Sequence, residues 1–372
     1  TTLYHLIFVV KIKIIMKVSI LGNGLTSLSL AKLLVNKGIR VDIFSYKKSI
    51  KISKIQTLGI SKTNIDFFNT HILNIEKLLW HVNQIEIYSE NLENEKILNF
   101  ENDNKKLFSV IRNLDLYNLL FSNLKKNNLI NFKKAISYNE LCKKNYNLIF
   151  NCDYHNSISK KFFYKKLKKS YDSLAYVTCF KHKKLSNNHI ASQIFTKKGP
   201  LAFLPLSSTE TSIVYSVRGK VIKNIESVLK KYNTKYDIIK INKFLSFELK
   251  SSNLRTYYYK NIIAFGDLLH KIHPLAGQGF NMTIRDIKEI YRLVLFKKEL
   301  GLDLDISICA DFEKNTRNKN YLFSNGIDFI YEFFNFENKI NDNTLSKSVK
   351  FLGRNKTINK IFKNIADNGI II

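Results

Sequence analysis

One segment of the chain, residues 265–286, constrains the fold more than any other, and it reads FGDLLHKIHPLAGQGFNMTIRD. An apolar run ends in the pair Gly266-Asp267, and a proline and two closely spaced glycines then precede a stretch with helical periodicity. This order predicts a buried strand, a turn without bulky side chains, and a helix that starts near Phe280 or Asn281. The two glycines would let backbone N–H groups approach a flat ring, because no Cβ intervenes.

The amino-terminal part of the chain carries a second glycine-rich turn. Residues 18–21 are apolar and predict a buried strand, residues 25–36 have helical periodicity, and residues 40–44 predict the next strand. The turn Gly22-Asn23-Gly24 lies between the first strand and the helix, so the whole is a βαβ unit. Gly22 permits the tight turn, Gly24 lets a pyrophosphate approach the backbone, and the helix N-terminus offers free N–H groups. The small Ser27 stands at the third position of the motif.

The second strand of such a unit is usually followed by a carboxylate that binds ribose hydroxyls. Ser45 stands at that position here, whereas Asp42 comes too early and is expected on the strand itself. Asp267, at the end of a distant strand, is a second candidate for ribose or ribityl hydroxyls. The two glycine-rich segments together predict that one extended dinucleotide lies between them.

The charge of the chain is unusual, with a net charge of +30 and a pI of about 9.8. Nearly all of the positive charge is lysine, and the lysines are scattered in a chain that is also rich in asparagine and isoleucine. Specific phosphate and base recognition favours arginine for its planar guanidinium. We therefore interpret the charge as compositional bias, keep attraction to an anionic membrane surface as an alternative, and expect no nucleic-acid partner.

The cysteines and histidines of the chain do not have the spacing of a metal or disulfide site. The four cysteines form no CxxC and no close pair, which fits a reducing compartment. His270 and His273 are three residues apart, but no acidic or cysteine partner lies near them in the sequence. We expect no bound metal, and we expect His273 to shape a cofactor pocket beside Pro274.

Further patterns predict the organisation of the remaining chain. We expect a strand at 84–88, a helix at 115–126, a strand at 147–150, antiparallel strands at 173–180 and 190–217, mostly helix over 222–247, a strand at 262–265, and helices over 306–372. Residues 1–15 form an apolar run that two lysines interrupt and that is too short to span a bilayer. We interpret them as an extension before a natural start at Met16.

The motifs bear a specific resemblance to a known family. The segment from Gly266 to Asp286 resembles the second FAD motif of the class A flavin monooxygenases, and in particular the ubiquinone-biosynthesis hydroxylases of the UbiH/UbiF type. A second run resembles their substrate-domain sequence, from Ala191-Ser192-Gln193 to the stretch GPLAFLPL at 199–206. The resemblance covers the chain from about Met16 to Gly369.

The resemblance implies an α/β fold. A discontinuous Rossmann-like FAD-binding domain would hold an inserted, sheet-rich substrate domain and be followed by a C-terminal helical region. The implied division is FAD-binding at 16–75, 111–165 and 251–305, substrate domain at 76–110 and 166–250, and helical region at 306–372.

The resemblance also assigns residues to the cofactor. The FAD-binding residues are Gly22, Gly24, Ser27, Ser45, Arg112, Asp153, Gly266, Asp267, Pro274, Gly277, Gln278, Gly279, Phe280 and Asn281. The chain departs from the family pattern at Ser27, at Ser45, at Gln56, where an arginine is expected, and at Tyr154, where the middle motif has glycine.

The activity implied by the resemblance is hydroxylation of an aromatic ring. NAD(P)H would reduce FAD, O2 would be the oxidant, and the substrate would be a polyprenylated phenol on the route to ubiquinone. The protein would be cytoplasmic and peripheral at the inner membrane, in contact with other quinone-biosynthesis proteins. No acid or base residue is assigned.

Two alternatives remain open at the level of sequence. The chain could be a related flavoprotein that acts on another aromatic compound or prenyl lipid, although the GPLAFLPL run argues against this. The departures at four motif positions also permit a non-catalytic scaffold of a quinone-biosynthesis complex that no longer binds FAD firmly.

Overall fold

The computed structural model describes residues 16–46, 52–101, 106–219, 221–222, 224–340 and 342–369. The extension at 1–15 lies outside the described residues, so its interpretation is not tested.

The described residues contain eighteen strands, which we number in chain order. They are β1 (Lys17–Leu21), β2 (Arg40–Ser45), β3 (Thr57–Ser61), β4 (Trp80–Val82), β5 (Gln84–Ser89), β6 (Glu95–Glu101), β7 (Phe108–Arg112), β8 (Ile130–Lys134), β9 (Leu148–Asn151), β10 (Lys166–His182), β11 (Ile190–Thr196), β12 (Gly199–Ser207), β13 (Glu210–Arg218), β14 (Ile238–Ile241), β15 (Leu245–Leu254), β16 (Tyr258–Tyr259), β17 (Ile262–Ala264) and β18 (His270–Lys271).

The described α-helices number ten. They are α1 (Leu25–Asn36), α2 (Lys62–Phe67), α3 (Asn113–Lys125), α4 (Tyr138–Cys142), α5 (Ser157–Phe162), α6 (Ile225–Tyr232), α7 (Gln278–Glu299), α8 (Ile306–Ile340), α9 (Thr344–Gly353) and α10 (Lys356–Asn368).

A six-stranded sheet in the order β16-β17-β9-β1-β2-β8 carries the first glycine-rich turn. All its pairings are parallel except that of β16 with β17. Buried parallel strands need apolar side chains on both faces, and Val18, Ile20 and Ile263 are fully buried. The sheet and the inner faces of α1, α3, α7 and α8 form the largest hydrophobic core. The predicted βαβ unit at the start of the chain is confirmed, with α1 at 25–36 as expected.

A larger, mostly antiparallel sheet has the order β18-β15-β10-β13-β12-β11-β5-β6, with β14 also paired to β10. The antiparallel strands expected over 173–180 and 190–217 belong to it, and β10 is longer than predicted because Lys166–Ser170 pairs with β15. The expectation of mostly helix over 222–247 is wrong. Only α6 is helical there, and β14 and the start of β15 follow it, because β10 offers them an edge for pairing.

A third sheet, β3-β7-β4, packs against both others, with Ile60 and Ile111 in the core of the parallel sheet and Val82 and Val110 against Ala191 of the large sheet. The helical C-terminal region is confirmed as α8, α9 and α10. Helix α7 begins at Gln278, a few residues earlier than predicted, because Gly277 adopts the left-handed conformation (φ +64°) that separates the preceding turn from the helix. In the part of the chain that the structure describes, no helix combines the length and apolarity needed to cross a membrane.

Candidate functional site

The two glycine-rich segments meet at the carboxyl edge of the parallel sheet. Gly266 directly follows the strand region of β17, and a Cβ placed on it would lie 2.8 Å from Cγ2 and 2.9 Å from Oγ1 of Thr26 in the first turn of α1. Gly266 also has a positive φ of +63°. The segments are therefore in van der Waals contact, although about two thirds of the chain separates them in sequence.

The first glycine-rich turn is packed tightly between neighbouring strand ends. Gly22 has a φ of +103°, and its N–H donates to the carbonyl of Phe44 at the end of β2 over 2.8 Å. A Cβ on Gly22 would lie 3.5 Å from Cβ of Asp153, which follows β9. Gly22, Asp153 and Gly266 thus line one edge, the edge at which open parallel sheets bind their ligands.

The N-terminus of α7 is held against β3. A Cβ on Gly277 would lie 3.3 Å from the backbone nitrogen of Gly59. The Asn281 side chain donates to the carbonyl of Gly59 over 2.9 Å and accepts from the Ser61 N–H and from Nδ2 of Asn64, each over 2.9 Å. The hydrogen-bonding groups of the Asn281 side chain are therefore used by the protein, and this residue fixes the position of the helix start.

Several groups along this edge lack a protein partner. Asp267 is exposed and makes no hydrogen bond or ion pair with a described residue, while the buried Gln278 has an Oε1 atom without a partner. Gly279 faces open space, since a Cβ there would meet nothing within 4 Å. Neither α1 nor α7 has a side-chain cap, so no capping side chain competes with a ligand for the N–H groups of their first turns.

These observations fit an elongated dinucleotide. The turn at Gly22–Ser27 suits a pyrophosphate, Asp267 suits hydroxyl groups, and the start of α7 suits the polar edge of a planar ring. The positive end of the α7 dipole would stabilise negative charge on such a ring.

Arg112, which the sequence predicts as a cofactor ligand, lies at the junction of the three sheets. Its guanidinium pairs with the Glu210 carboxylate at 2.5 Å and donates to the carbonyl of Lys54 over 3.1 Å. A groove of about 440 Å³ opens beside this pair, and Lys54 and Lys243 also line it. The structure thus gives Arg112 a contact that bridges β7 and β13, and the groove beside it lies between the loop at 53–55 and the large sheet.

His270 and His273 point to different surroundings. The His270 Nε2 atom lies 2.5 Å from Oδ2 of Asp286, whose Oδ1 accepts from Asn320 over 2.9 Å, and all three side chains are buried. His273 packs against the rings of Tyr171 and Tyr331. Within the described ranges, no cluster of His, Cys, Asp or Glu side chains has the arrangement of a metal site.

The His273 ring is buried, and neither of its nitrogens has a hydrogen-bond partner. Burial, assisted by the charge of Lys169, lowers the pKa of His273 to about 3. The ring is therefore neutral at physiological pH.

The other predicted ligands also lie near this edge. Ser45 is the last residue of β2 and Asp42 lies within that strand, as expected. Pro274 directly precedes the short helical turn before α7, Phe280 is buried in the first turn of that helix, and Ser27 is fully buried. Of the positions that depart from the family pattern, Tyr154 is 43% exposed, with Nζ of Lys166 4.0 Å from its ring centroid.

Sequence reasoning missed two groups of residues. One is the β3 region with Gly59, Ser61 and Asn64, and the other is the buried set of Tyr171, Asp328 and Tyr331 behind His273. Tyr171 donates to the Asp328 carboxylate, and Ser173 shares a hydrogen bond of 2.8 Å with Tyr331. These contacts join segments far apart in the chain, so no local sequence pattern could indicate them.

No family model matches the chain. Its structure superposes on the crystal structure of p-nitrophenol 4-monooxygenase PnpA from Pseudomonas putida DLL-E4 with a TM-score of 0.77, over 96% of this chain and 99% of that one, at 10% identity. It also superposes on Klebsiella pneumoniae HpxO complexed with FAD and uric acid, with a TM-score of 0.74, over 95% of this chain and 97% of that one, at 11% identity. The chain has the fold of the FAD-dependent monooxygenases.

In sequence, the chain is similar to ubiquinone-biosynthesis hydroxylases. It is 22% identical over 273 residues to the mitochondrial ubiquinone biosynthesis monooxygenase of Schizosaccharomyces pombe. This alignment covers 60% of this chain and 57% of the relative. It is 24% identical over 152 residues to the 3-demethoxyubiquinol 3-hydroxylase of Escherichia coli, 38% of this chain and 39% of that relative. It is 23% identical over 175 residues to the ubiquinone hydroxylase UbiL of Rhodospirillum rubrum, 44% of this chain and 41% of that relative. The matches span about half the length of these relatives.

Proposed function

We propose that the chain is a FAD-dependent monooxygenase that hydroxylates the ring of a polyprenylated phenol in ubiquinone biosynthesis, with NAD(P)H and O2 as co-substrates. The observation that carries the proposal is the contact between Gly266 and Thr26, which joins the two glycine-rich segments into one edge. The named activities of the sequence relatives supply the substrate class.

The residues present fit FAD. The uncapped first turn of α1, with Gly22 and Gly24, would receive the pyrophosphate, and Asp267 would accept hydrogen bonds from the ribityl chain. The N–H groups at the start of α7 and the unpartnered Gln278 side chain would meet the ring. Bound FAD supplies the redox chemistry between NAD(P)H and O2, and the chain positions it, keeps water from the ring and stabilises charge there through α7.

The other parts of the proposal concern location. A polyprenylated phenol resides in a bilayer, so we place the protein at the cytoplasmic face of an inner membrane, near other quinone-biosynthesis proteins. The net charge of +30 would favour an anionic lipid surface.

The role of Asp267 provides a first test. We expect Asp267→Ala to lose bound FAD, because a carboxylate that accepts hydrogen bonds from cofactor hydroxyls is removed. The matched control is Asp303→Ala, which removes an exposed carboxylate beyond the opposite end of α7, roughly 30 Å away along that helix.

The measurement is the visible absorbance of the purified proteins after incubation with FAD. Equal flavin content in Asp267→Ala and the control would show that Asp267 does not contact the cofactor. A wild-type protein that stays colourless would contradict the enzyme and support the scaffold alternative, which the departures at Ser27, Ser45, Gln56 and Tyr154 motivate.

The substrate is tested by complementation. The chain is expressed in strains that are each blocked at one ring hydroxylation of ubiquinone synthesis, and we expect quinone to be restored in one of them. If the protein is yellow and oxidises NAD(P)H but restores quinone in none of these strains, the flavoprotein assignment is supported and the ubiquinone assignment is contradicted.

A further inference from the structure

Helix α10 attaches to the rest of the protein by its polar side. Asn359 donates to the carbonyl of Gly353 over 2.6 Å, Lys363 donates to the carbonyl of Glu101, and the Asp367 carboxylate accepts from the Thr63 N–H over 3.0 Å. The three side chains on α10 are spaced four residues apart, so they form one stripe along the helix. Asn359 thus joins α10 to the end of α9, and Lys363 and Asp367 join it to the body of the protein.

The opposite side of α10 is apolar and exposed. Ile361, Phe362 and Ile365 are 52%, 43% and 38% exposed, and no residue of this helix is buried. At 3.6 residues per turn these side chains share one face, which points away from the polar stripe. An amphipathic helix at the surface of a globular protein normally buries its apolar face, so the orientation of α10 is inverted.

Helix α9 continues this pattern. Its exposed face carries Phe351 and Leu352, which are 74% and 44% exposed, together with Lys347. The two helices contact each other and form what we call the α9–α10 surface, residues 344–369.

The charge of the α9–α10 surface is strongly positive. Its one acidic residue is Asp367, which is engaged by Thr63. Of its six cationic residues, Lys350 pairs with Glu95 and Lys363 donates to the carbonyl of Glu101. The exposed cations are Lys347, Arg354, Lys356 and Lys360. Exposed apolar side chains on a lysine-rich helix pair are the combination that binds an anionic bilayer, because the apolar groups enter the acyl boundary while the cations meet the headgroups.

We propose that the α9–α10 surface docks the protein on an anionic lipid bilayer, with α10 lying in the plane of the interface. The helix has 13 residues, about 20 Å, which suits a position along the surface and is too short to span the membrane. The proposal rests on the proposed function, since a polyprenylated substrate must be reached from the membrane, and it specifies the surface that makes the contact.

The test is sedimentation of the full chain with vesicles of phosphatidylcholine alone and of phosphatidylcholine mixed with phosphatidylglycerol. We expect binding to the mixed vesicles that weakens with salt. The affinity of the double variant Phe362→Ser, Ile365→Ser for the mixed vesicles should be lower by about tenfold or more, because two large apolar side chains no longer enter the bilayer. Lys356→Gln with Lys360→Gln should weaken binding several-fold at low salt.

The matched control is the double variant Val221→Ser, Ile239→Ser, which removes two apolar side chains that are 70% and 68% exposed and lie outside the α9–α10 surface. It should bind vesicles like the wild type. Equal binding by all apolar variants, or binding that does not depend on the anionic lipid, would overturn the assignment of this surface.

Two further measurements distinguish membrane docking from dimerisation and from the proposed flavoenzyme activity. Light scattering without vesicles tests whether the surface instead joins two copies of the chain, and a wild-type dimer that Phe362→Ser, Ile365→Ser converts to a monomer would overturn membrane docking. Flavin content is measured on the same samples. A yellow protein that ignores vesicles contradicts docking alone, whereas a colourless protein that binds them contradicts the flavoenzyme alone.

Discussion

At the scale of single residues, the glycines of the site differ in what surrounds them. Gly266 has a positive φ, and an added Cβ would lie 2.8 Å from Thr26. Gly279 has open space around its Cα and lies in the first turn of α7. A side chain at Gly266 would therefore clash with the protein itself, whereas a side chain at Gly279 would clash only with a bound ligand.

We expect Gly266→Ala to lower the free energy of unfolding by about 2 kcal/mol or more, because alanine is strained at this positive φ and Thr26 must move. We expect Gly279→Ala to leave it unchanged or raise it by about 0.5 kcal/mol, since alanine favours the helix. Urea unfolding of the flavin-free proteins measures both. Gly279→Ala should nevertheless weaken FAD binding, and undiminished affinity would mean that the ring does not lie against Gly279.

His273 makes the stability of the protein sensitive to acid. Its pKa in the folded protein is lowered to about 3, whereas a histidine in the unfolded chain titrates near 6.5. The unfolded state therefore binds an extra proton between these values, and stability falls as the pH decreases through that window.

We expect His273→Phe, which keeps the ring contacts with Tyr171 and Tyr331, to gain about 2 kcal/mol relative to the wild type when the pH is lowered from neutral to about 5. Urea unfolding at the two pH values gives the difference. The same pH dependence in both proteins would show that the proton is bound elsewhere.

At the scale of elements, the N-terminus of α7 depends on Asn281. Its side chain joins the helix to Gly59 and Ser61 in β3 and to Asn64 in α2. We expect Asn281→Ala to cost about 3 kcal/mol in the free energy of unfolding, because it leaves buried backbone and side-chain groups without partners.

The control for Asn281 is Thr283→Ala, a buried position on the same helix whose hydroxyl makes one long contact of 3.5 Å with the carbonyl of Gly279. It should cost less than half as much in the same denaturation experiment. Similar losses in both variants would place the effect in general packing of α7 instead of the Asn281 hydrogen bonds.

Local sequence patterns predicted elements well where the pattern and the final contacts agree. The first βαβ unit is an example, because periodicity, a glycine turn and the C-terminal Gly38 all indicate the same structure. The segment at 222–247 shows the opposite case, since β14 and β15 become strands through pairing with β10. That pairing is a long-range contact, which the local pattern does not contain.

In the candidate site, too, some features follow from local sequence patterns and others only from long-range contacts. The glycine-rich segments of Gly22 and Gly266 could be assigned to one dinucleotide from their motifs, and Asp153 from the family resemblance. The structure brings the three residues to one edge, where parallel strands place their carboxyl ends together. The assignment of Asn281 as a cofactor ligand stays a prediction, and its side chain is used by β3 and α2, which only the folded structure reveals. The unpartnered Oε1 of Gln278 likewise follows from burial, not from residue type.

At the scale of the whole molecule, polar contacts join the third sheet and the loop before it to the large sheet. Arg112 on β7 pairs with Glu210 on β13 and donates to Lys54, and Thr57 shares a hydrogen bond of 3.0 Å with Ser212. These contacts fix the third sheet, β3-β7-β4, against the large sheet.

We expect Arg112→Ala to lower the free energy of unfolding by about 2 kcal/mol and to reduce FAD affinity, because the half-buried Glu210 loses its partner and the loop at Lys54 is released. Arg292→Ala, which breaks the pair between the exposed Arg292 and Glu289 within α7, should cost about 1 kcal/mol or less and leave FAD binding unchanged, because Glu289 keeps its hydrogen bond from Asn315. Denaturation and flavin titration measure the two effects. A loss in Arg112→Ala no greater than that in Arg292→Ala would show that the junction does not depend on this pair.

Helix α8 has a consequence for how ligands reach the interior. With 35 residues it is a rod of about 50 Å. Phe312 is anchored in the core of the parallel sheet, while Phe334 stacks on Phe195 of the large sheet with ring centroids 3.6 Å apart. A single stiff element fixed to both layers resists their separation, so a ligand must enter and leave without the two sheets moving apart.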